Sequence, residues 1–459
     1  MASIIERNKK YSVVYYVMAD GKRKQMWESF PTLKEAKARK AAVENEINDG
    51  TFIPPNKQTI REFLQDYVKL YGEEKWSLST YSTNIAFFDN YVNPLIGDES
   101  IQTFTAKSAD MYFKRLKKTP ATETGCHKPR TEFVGPSILQ TGYKLLRCAF
   151  GKAVKWEIIK RNPFELVDKP KYNYKRREIW DAETIRMALD ECRDSKLYVA
   201  MNISFACSLR IGEILGLTWD NIHISDQGIA DDNANLFVEK ELQRASLQAI
   251  KILDEKDIKY MFPTFKPNAT TRLVLKTPKT ESSVRKVWIP KTLAYILLEY
   301  RKTQESMREM LGDEYYDHNL VVALPNGRPC EERVIIEAFH DLREKCGLPY
   351  VAFHSLRHSS TTYKLKLNKG DIKATQGDTG HAQADMVTRV YAHILDEDRK
   401  VNAVKMEQAF YSPQANPDLR SVRPPADASS GDLDVEAFIA KLRNASPEKL
   451  AVLAELFKG

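Results

Sequence analysis

The apolar pattern changes period across the Pro54-Pro55 pair, and that change constrains the fold of this chain more than any other feature. Before it, Tyr11 to Ala19 (Tyr-Ser-Val-Val-Tyr-Tyr-Val-Met-Ala) is rich in β-branched and aromatic residues. Asp20-Gly21 then supplies a tight turn into Lys22 to Phe30, which predicts a β-hairpin. Thr32 to Asn48 is predicted helical, with Thr32 as N-cap, Glu35 as its capping-box partner and Gly50 beyond the end. Residues 1–56 thus form a small β-sheet-plus-helix module. From Thr59 onward, Ile60, Phe63, Leu64, Tyr67, Val68 and Tyr71 recur at three- and four-residue intervals, the period of a helix. Further helices are expected from near Ser79 and Ala106. A long one over Pro136 to Glu157 carries Leu139, Tyr143, Leu146, Phe150 and Val154. Residues 57–168 read as a helical domain.

Charge is unevenly spread along the 459 residues. The net charge is only +8, yet residues 107–177 carry 18 basic and 6 acidic side chains. They include Lys114, Arg115, Lys117 and Lys118, and the extended basic linker 169–178 adds Lys171, Lys175, Arg176 and Arg177. Such a segment suits a polyanion, and equally suits a solvated helix face. No run of about 18 apolar residues is present, which excludes a membrane-spanning helix. The first residues lack a signal peptide's basic-then-apolar pattern, so a cytoplasmic location, in the bacterial cytosol, is expected. Six cysteines (Cys126, Cys148, Cys192, Cys207, Cys330, Cys346) are scattered without zinc-ligand spacing and read as reduced thiols.

The third segment, 179–410, begins with a helix at Asp181. Residues 225–272 are polar and irregular, broken by Lys240 to Asp254 with helical character, and read largely as an insertion. Residues 411–459 form a Pro/Ser/Asp-rich linker followed by a helical tail over Leu433 to Phe457. Three motifs stand out in this segment. Cys207-Ser-Leu-Arg210-Ile-Gly-Glu213-Ile-Leu-Gly-Leu217 reads as an apolar helix interrupted by Arg210, which needs either Glu213 as a buried partner or an anionic ligand. Arg272 to Pro290 reads as two alternating strands around a polar turn with Lys276, Lys279 and Lys286. The third motif joins His354-Ser-Leu-Arg357-His358, Gly380-His381 and Tyr391. Four of the eight histidines fall between 354 and 393. His354 and His358 imitate a helical zinc spacing, but Ser-Leu-Arg between them contains no Glu and sets a cation beside the metal position. Two Arg, a Lys and two His around one anion, with a Tyr nearby, suit phosphoryl transfer.

These motifs, in this order and spacing, resemble the tyrosine recombinase (phage integrase) family, as found in prophages and conjugative transposons. The resemblance spans nearly the whole chain. It implies a multidomain fold, mainly α with small β: an arm-type DNA-binding module at 1–56, a helical core-binding domain at 57–168, and a mixed α+β catalytic domain at 179–410. Ser208 stands where the family often has Gly, Ala382-Gln383 replaces a common Ser-Ser, and 225–272 and 411–459 lie outside the pattern.

The resemblance further implies that Tyr391 attacks a scissile phosphodiester, leaving a 3′-phosphotyrosyl link. Arg210, Arg357 and His381 would hold the phosphate, His354 would act as base or positioner, and Lys279 would protonate the leaving 5′ oxygen. Glu213 and His358 would support them. No metal and no ATP are expected, because two guanidiniums occupy the place of a metal and the covalent link conserves the bond energy. The implied partners are double-stranded DNA attachment sites, a homotetramer on DNA and an accessory DNA-bending or excision factor. The hairpin, with Tyr15, Lys22, Arg23, Lys24 and Trp27, would enter a major groove, although packing accounts equally well for Tyr15 and Trp27. A type IB topoisomerase-like nicking and closing enzyme needs the same residues, and a non-catalytic DNA-binding regulator on the same fold is the alternative of another class.

Overall fold

A computed structural model describes residues 2–7, 10–19, 22–123, 129, 131–171, 178–368 and 371–379. Lys175, Arg176, Arg177, His381, Tyr391 and the 411–459 tail lie outside the described residues. Among the described residues, no helix is long and apolar enough to cross a membrane.

The N-terminal module is an antiparallel sheet in the order β1 (Ser3–Arg7), β2 (Lys10–Ala19), β3 (Lys22–Phe30). Helix α1 (Leu33–Asn48) lies on one face. Thr32 caps α1 by accepting from the Glu35 N–H at 3.3 Å. Side chains alternate across a strand, so Val13, Tyr15 and Val17 turn toward Ala36 and Val43 and form the small core. Tyr15 is buried there, and its hydroxyl bonds Glu28, which also takes Arg39 at 2.7 Å. On the opposite face Trp27 is 50% exposed and Tyr16 48%, with the Arg23 guanidinium 4.1 Å above the Tyr16 ring. The hairpin therefore divides its aromatic residues, Tyr15 to the core and Trp27 to the open face. Lys24 pairs with Val17 and belongs to the Tyr15 side.

The helical segment comprises α2 (Ile60–Tyr67), α3 (Leu78–Phe87), α4 (Ala106–Leu116) and α5 (Pro136–Lys155). A reciprocal capping box starts α2, in which Thr59 caps the Glu62 N–H and the Glu62 carboxylate returns to the Thr59 N–H. Phe63, Tyr67, Leu146, Phe150 and Phe164 fill the centre. Gly142 lets α5 lie directly against the Phe87 ring, where any Cβ would collide.

In the third segment, α6 (Ala182–Glu191) leads to a central helix, α7 (Ser195–Cys207). The reading of one continuous apolar helix through Arg210 is corrected here. Helix α7 ends at Ser208, which takes a left-handed conformation at φ +55°, and a separate short helix, α8 (Ile211–Leu215), starts after Arg210.

Two three-stranded sheets follow. One has the order β4 (Ile222–His223), β5 (Asn235–Val238), β9 (Arg285–Trp288). The other has the order β6 (Glu241–Ser246), β8 (Thr271–Lys276), β7 (Ile258–Met261). Strands β8 and β9, read from sequence as a pair around a turn, thus belong to different sheets. Helices α9 (Leu247–Ile252), α10 (Lys291–Leu311), α11 (Glu332–Lys345), α12 (Ser355–Leu367) and α13 (Ile372–Thr379) also belong to this segment, with a five-residue helical turn at Asp226–Ala230 between β4 and β5. Helices α6, α10, α11 and α12 pack around α7, whose Leu197, Val199, Ala200, Met201 and Ile203 are buried.

The 225–272 stretch also departs from its reading. Glu241 to Ser246 is a strand rather than a helix, and the helix begins only at Leu247, capped by Ser246. Nor is the stretch a mere excursion. Ala245, Ala249, Ile250, Leu253 and Val274 are buried in the same apolar core as Trp76, Leu78 and Tyr81 of the helical segment. Lys256 also donates to the Glu74 carbonyl. The core begun in residues 57–168 is therefore closed by residues from the third segment.

Candidate active site

The break between α7 and α8 builds the site. A non-glycine residue in the left-handed region pays about 1 kcal/mol or more, and Ser208 is held there by its surroundings. Its hydroxyl shares a 2.6 Å hydrogen bond with Ser360, and its carbonyl accepts from Arg357 Nη1. The turn sets Arg210 at the N-terminus of α8. The Arg210 backbone N–H donates to Glu213 Oε2 at 2.9 Å and its Nη1 to Glu213 Oε1 at 2.7 Å. Gly216 allows α8 to seat on β6, since a Cβ there would stand 2.8 Å from the Glu241 Cα.

Glu213 is fully buried and is the hub of the site. Arg285, from β9, approaches it at 3.1 and 3.4 Å, and Arg357, from α12, at 3.9 Å. Burial alone would raise the Glu213 pKa, but the charge and hydrogen bonds of Arg285, then those of Arg210, hold it below the ordinary value. Arg357 is 1% exposed. Desolvation and repulsion from Arg210, with Glu213 opposing, push its pKa down to about 9. Three guanidiniums and one carboxylate leave a cationic excess in a site largely closed to water, which is an environment that favours an anion.

Of the residues expected from sequence, Arg210, Glu213 and Arg357 are brought together. Lys279 is exposed on the connection between β8 and β9. That connection reaches the hub through Ser283, whose hydroxyl lies 3.4 Å from Arg210 Nη1 and 2.9 Å from Thr280 Oγ1. Its rival Lys276 is 3% exposed and engaged with Glu241 at 2.6 Å. His354 precedes α12, and its ring meets that of His358 edge-on at 4.9 Å. Among the described residues, no group of three or more His, Cys, Asp or Glu is placed to hold a metal ion.

Arg285 was missed from sequence. The signal for it is strand alternation, because it shares the inward register of Val287 and Ile289, a position where a charge needs a partner.

A second feature lies on the helical segment. A cleft of about 1070 Å³ is lined by Lys144, Arg147, Lys152, Lys155, Lys160, Arg161 and Lys169, with Glu165 the one acidic residue among its lining. Lys114, Arg115, Lys117 and Lys118 do not line it, and Arg115 instead pairs with Glu99 at 3.4 Å. Lys171 is exposed next to the linker.

Known proteins resemble this chain in sequence and in fold. The phage integrase family matches residues 270–398. A tyrosine recombinase XerC-like protein of Caldanaerobacter subterraneus subsp. tengcongensis is 23% identical over 382 residues, covering 82% of this chain and 89% of its own. The ICEBs1 integrase of Bacillus subtilis is 24% identical over 261 residues, covering 56% of this chain and 62% of its own. Among solved structures, the Tn1549 transposon integrase in complex with a circular intermediate DNA shares the fold at TM-score 0.56 and 18% identity, covering 75% of this chain and 99% of that one. The motif residues, the mixed α/β architecture around Glu213 and these relatives lead to one conclusion: residues 270–398 match the phage integrase family, and the chain is similar to tyrosine recombinases and to integrases of mobile elements.

Proposed function

We propose that this protein is a site-specific DNA recombinase that integrates and excises a mobile element through a 3′-phosphotyrosyl intermediate. The observation that carries the reading is the convergence of Arg210 and Arg357 on one buried carboxylate with positive charge left over. The Tyr391 oxygen attacks the scissile phosphorus and the bond to the 5′ oxygen breaks. His354 accepts or positions the phenolic proton, and Lys279 supplies a proton to the departing 5′ oxygen. Arg210, Arg357 and His381 neutralise the charge that builds on the non-bridging oxygens. The phosphodiester energy is retained in the tyrosyl link, so rejoining is the reverse step with another strand's 5′ hydroxyl.

The basic cleft suits the phosphates of a duplex. The open sheet face with Arg23, Tyr16 and Trp27 suits a second, arm-type contact, whereas the strand register puts Lys22 and Lys24 on the other side of the sheet. Attachment-site DNA, a homotetramer and an accessory bending or excision factor complete the reading by analogy with the family. The test is to incubate the chain with DNA from the ends of its own element. Wild type should yield a covalent adduct on denaturing gels, whereas Tyr391→Phe should bind the same DNA and yield none. An adduct that survives in Tyr391→Phe refutes the assignment.

A further inference from the structure

Arg285 lies outside the catalytic residues assigned above, yet its guanidinium reaches both halves of the site. Nη2 and Nη1 stand 3.1 and 3.4 Å from the Glu213 carboxylate, and Nη1 also donates to the Ser283 carbonyl at 2.9 Å. Ser283 closes the short turn Glu281–Ser283 that follows Lys279 and Thr280. Its hydroxyl faces Arg210 Nη1 at 3.4 Å. One planar fork therefore ties the connection that bears Lys279 to the carboxylate that holds Arg210.

The geometry also divides the work between the two arginines beside Glu213. A buried carboxylate paired with Arg210 alone would compete with any phosphate for that guanidinium. Arg285 is the larger influence holding the Glu213 carboxyl in its charged form. It is 8% exposed, whereas the Arg210 side chain is 36% exposed and open to a ligand. Lysine would not serve equally, since a point charge cannot meet the Glu213 carboxylate and the Ser283 carbonyl in one plane.

Building on the function proposed above, we infer that Arg285 is a positioning residue for strand transfer: it locks the Lys279–Ser283 connection and the Glu213 carboxylate into one geometry, setting Lys279 at the leaving oxygen. It touches no reacting atom itself, and its effect is exerted through Lys279 and Glu213.

The test uses the full chain and a suicide duplex from the ends of its own element, with oxygen or sulfur at the 5′-bridging position. A 5′ thiolate leaves without a proton, so the sulfur substrate is indifferent to the placement of Lys279. Arg285→Lys, which keeps a charge opposite Glu213, should form adduct roughly tenfold more slowly, or worse, on the oxygen substrate and within about threefold of wild type on sulfur. Arg285→Gln, which leaves Glu213 to Arg210 and Arg357, should slow on both and by more on oxygen. Thermal midpoints are recorded in parallel. Arg285→Lys keeps the charge opposite Glu213 and decides the matter should Arg285→Gln fail to fold. Equal losses on both substrates, or wild-type rates on both, overturn the inference. A wild-type chain that forms no adduct on either substrate overturns the recombinase reading instead.

Discussion

Arg210 Nη1 stands 2.7 Å from Glu213 Oε1, and the Arg210 backbone N–H reaches the other oxygen of the same carboxylate at 2.9 Å. Side chain and main chain are thus held by one residue at the first turn of α8. Glu213→Gln leaves Arg285 and Arg357 without their counter-charge in a buried site, and should cost about 3–5 kcal/mol in urea unfolding. The Glu213 pKa is depressed in the folded chain. Its stabilisation is therefore complete above the ordinary carboxylate value and is lost as pH falls through the folded value. The gap between wild type and Glu213→Gln should narrow with acid, and a gap unchanged from pH 7 to pH 3 would contradict this.

Arg357 carries the opposite expectation. Its folded pKa is pushed down to about 9, so its charge opposes folding most below that pH, and the penalty fades as pH rises through it. An anion beside the guanidinium relieves the same penalty. Inorganic phosphate at ten times its dissociation constant should stabilise the wild-type chain by about 1.4 kcal/mol. Scanning calorimetry with Arg357→Met provides the control, since phosphate held only in the basic cleft would stabilise that variant as much as wild type.

The two lysines flanking the β8 end separate chemistry from packing. Lys279→Ala should slow cleavage about 10²- to 10⁴-fold and recover on a 5′-bridging phosphorothiolate. Lys276→Met removes the partner of Glu241 and should lower the thermal midpoint while leaving the rate per folded molecule near wild type. Recovery of Lys276→Met on the sulfur substrate would reverse the assignment.

Ser208 sets two effects against each other. Ser208→Gly relieves a left-handed φ worth about 1 kcal/mol, but leaves the Ser360 hydroxyl buried without its 2.6 Å partner, at a cost of about 1–3 kcal/mol. The second effect is the larger, so Ser208→Gly alone should destabilise. Ser208→Gly with Ser360→Ala, which removes both partners, should return to wild-type stability or exceed it in the same denaturation assay.

How much of this was legible in sequence depends on the range of each interaction. The helical face Ile60, Phe63, Leu64, Tyr67 is written in consecutive turns, and the nearness of Arg210 to Glu213 follows from a spacing of three. Thr32 caps α1 as expected but Glu35 does not return the second bond of the expected capping box; the reciprocal box lies at Thr59 with Glu62, where it went unremarked. Lys240 to Asp254 looks helical throughout because Leu242, Ala245 and Ala249 keep helical spacing across a strand-to-helix junction. Strand partners are set by long-range register, so no local pattern reveals that β8 and β9 separate into two sheets. Arg285 escaped for a related reason: its importance comes from Glu213, 72 residues earlier in the chain.

The apolar core that joins Leu78 and Tyr81 to Ala249, Ile250 and Val274 also dictates an order of assembly. On an emerging chain the helical segment cannot seal its interior until roughly the first 274 residues have been made, because the last side chain to enter lies that far along. Contacts so distant in sequence form late and slow folding. A fragment cut at residue 168 would emerge with an unsealed apolar patch and a tendency to aggregate.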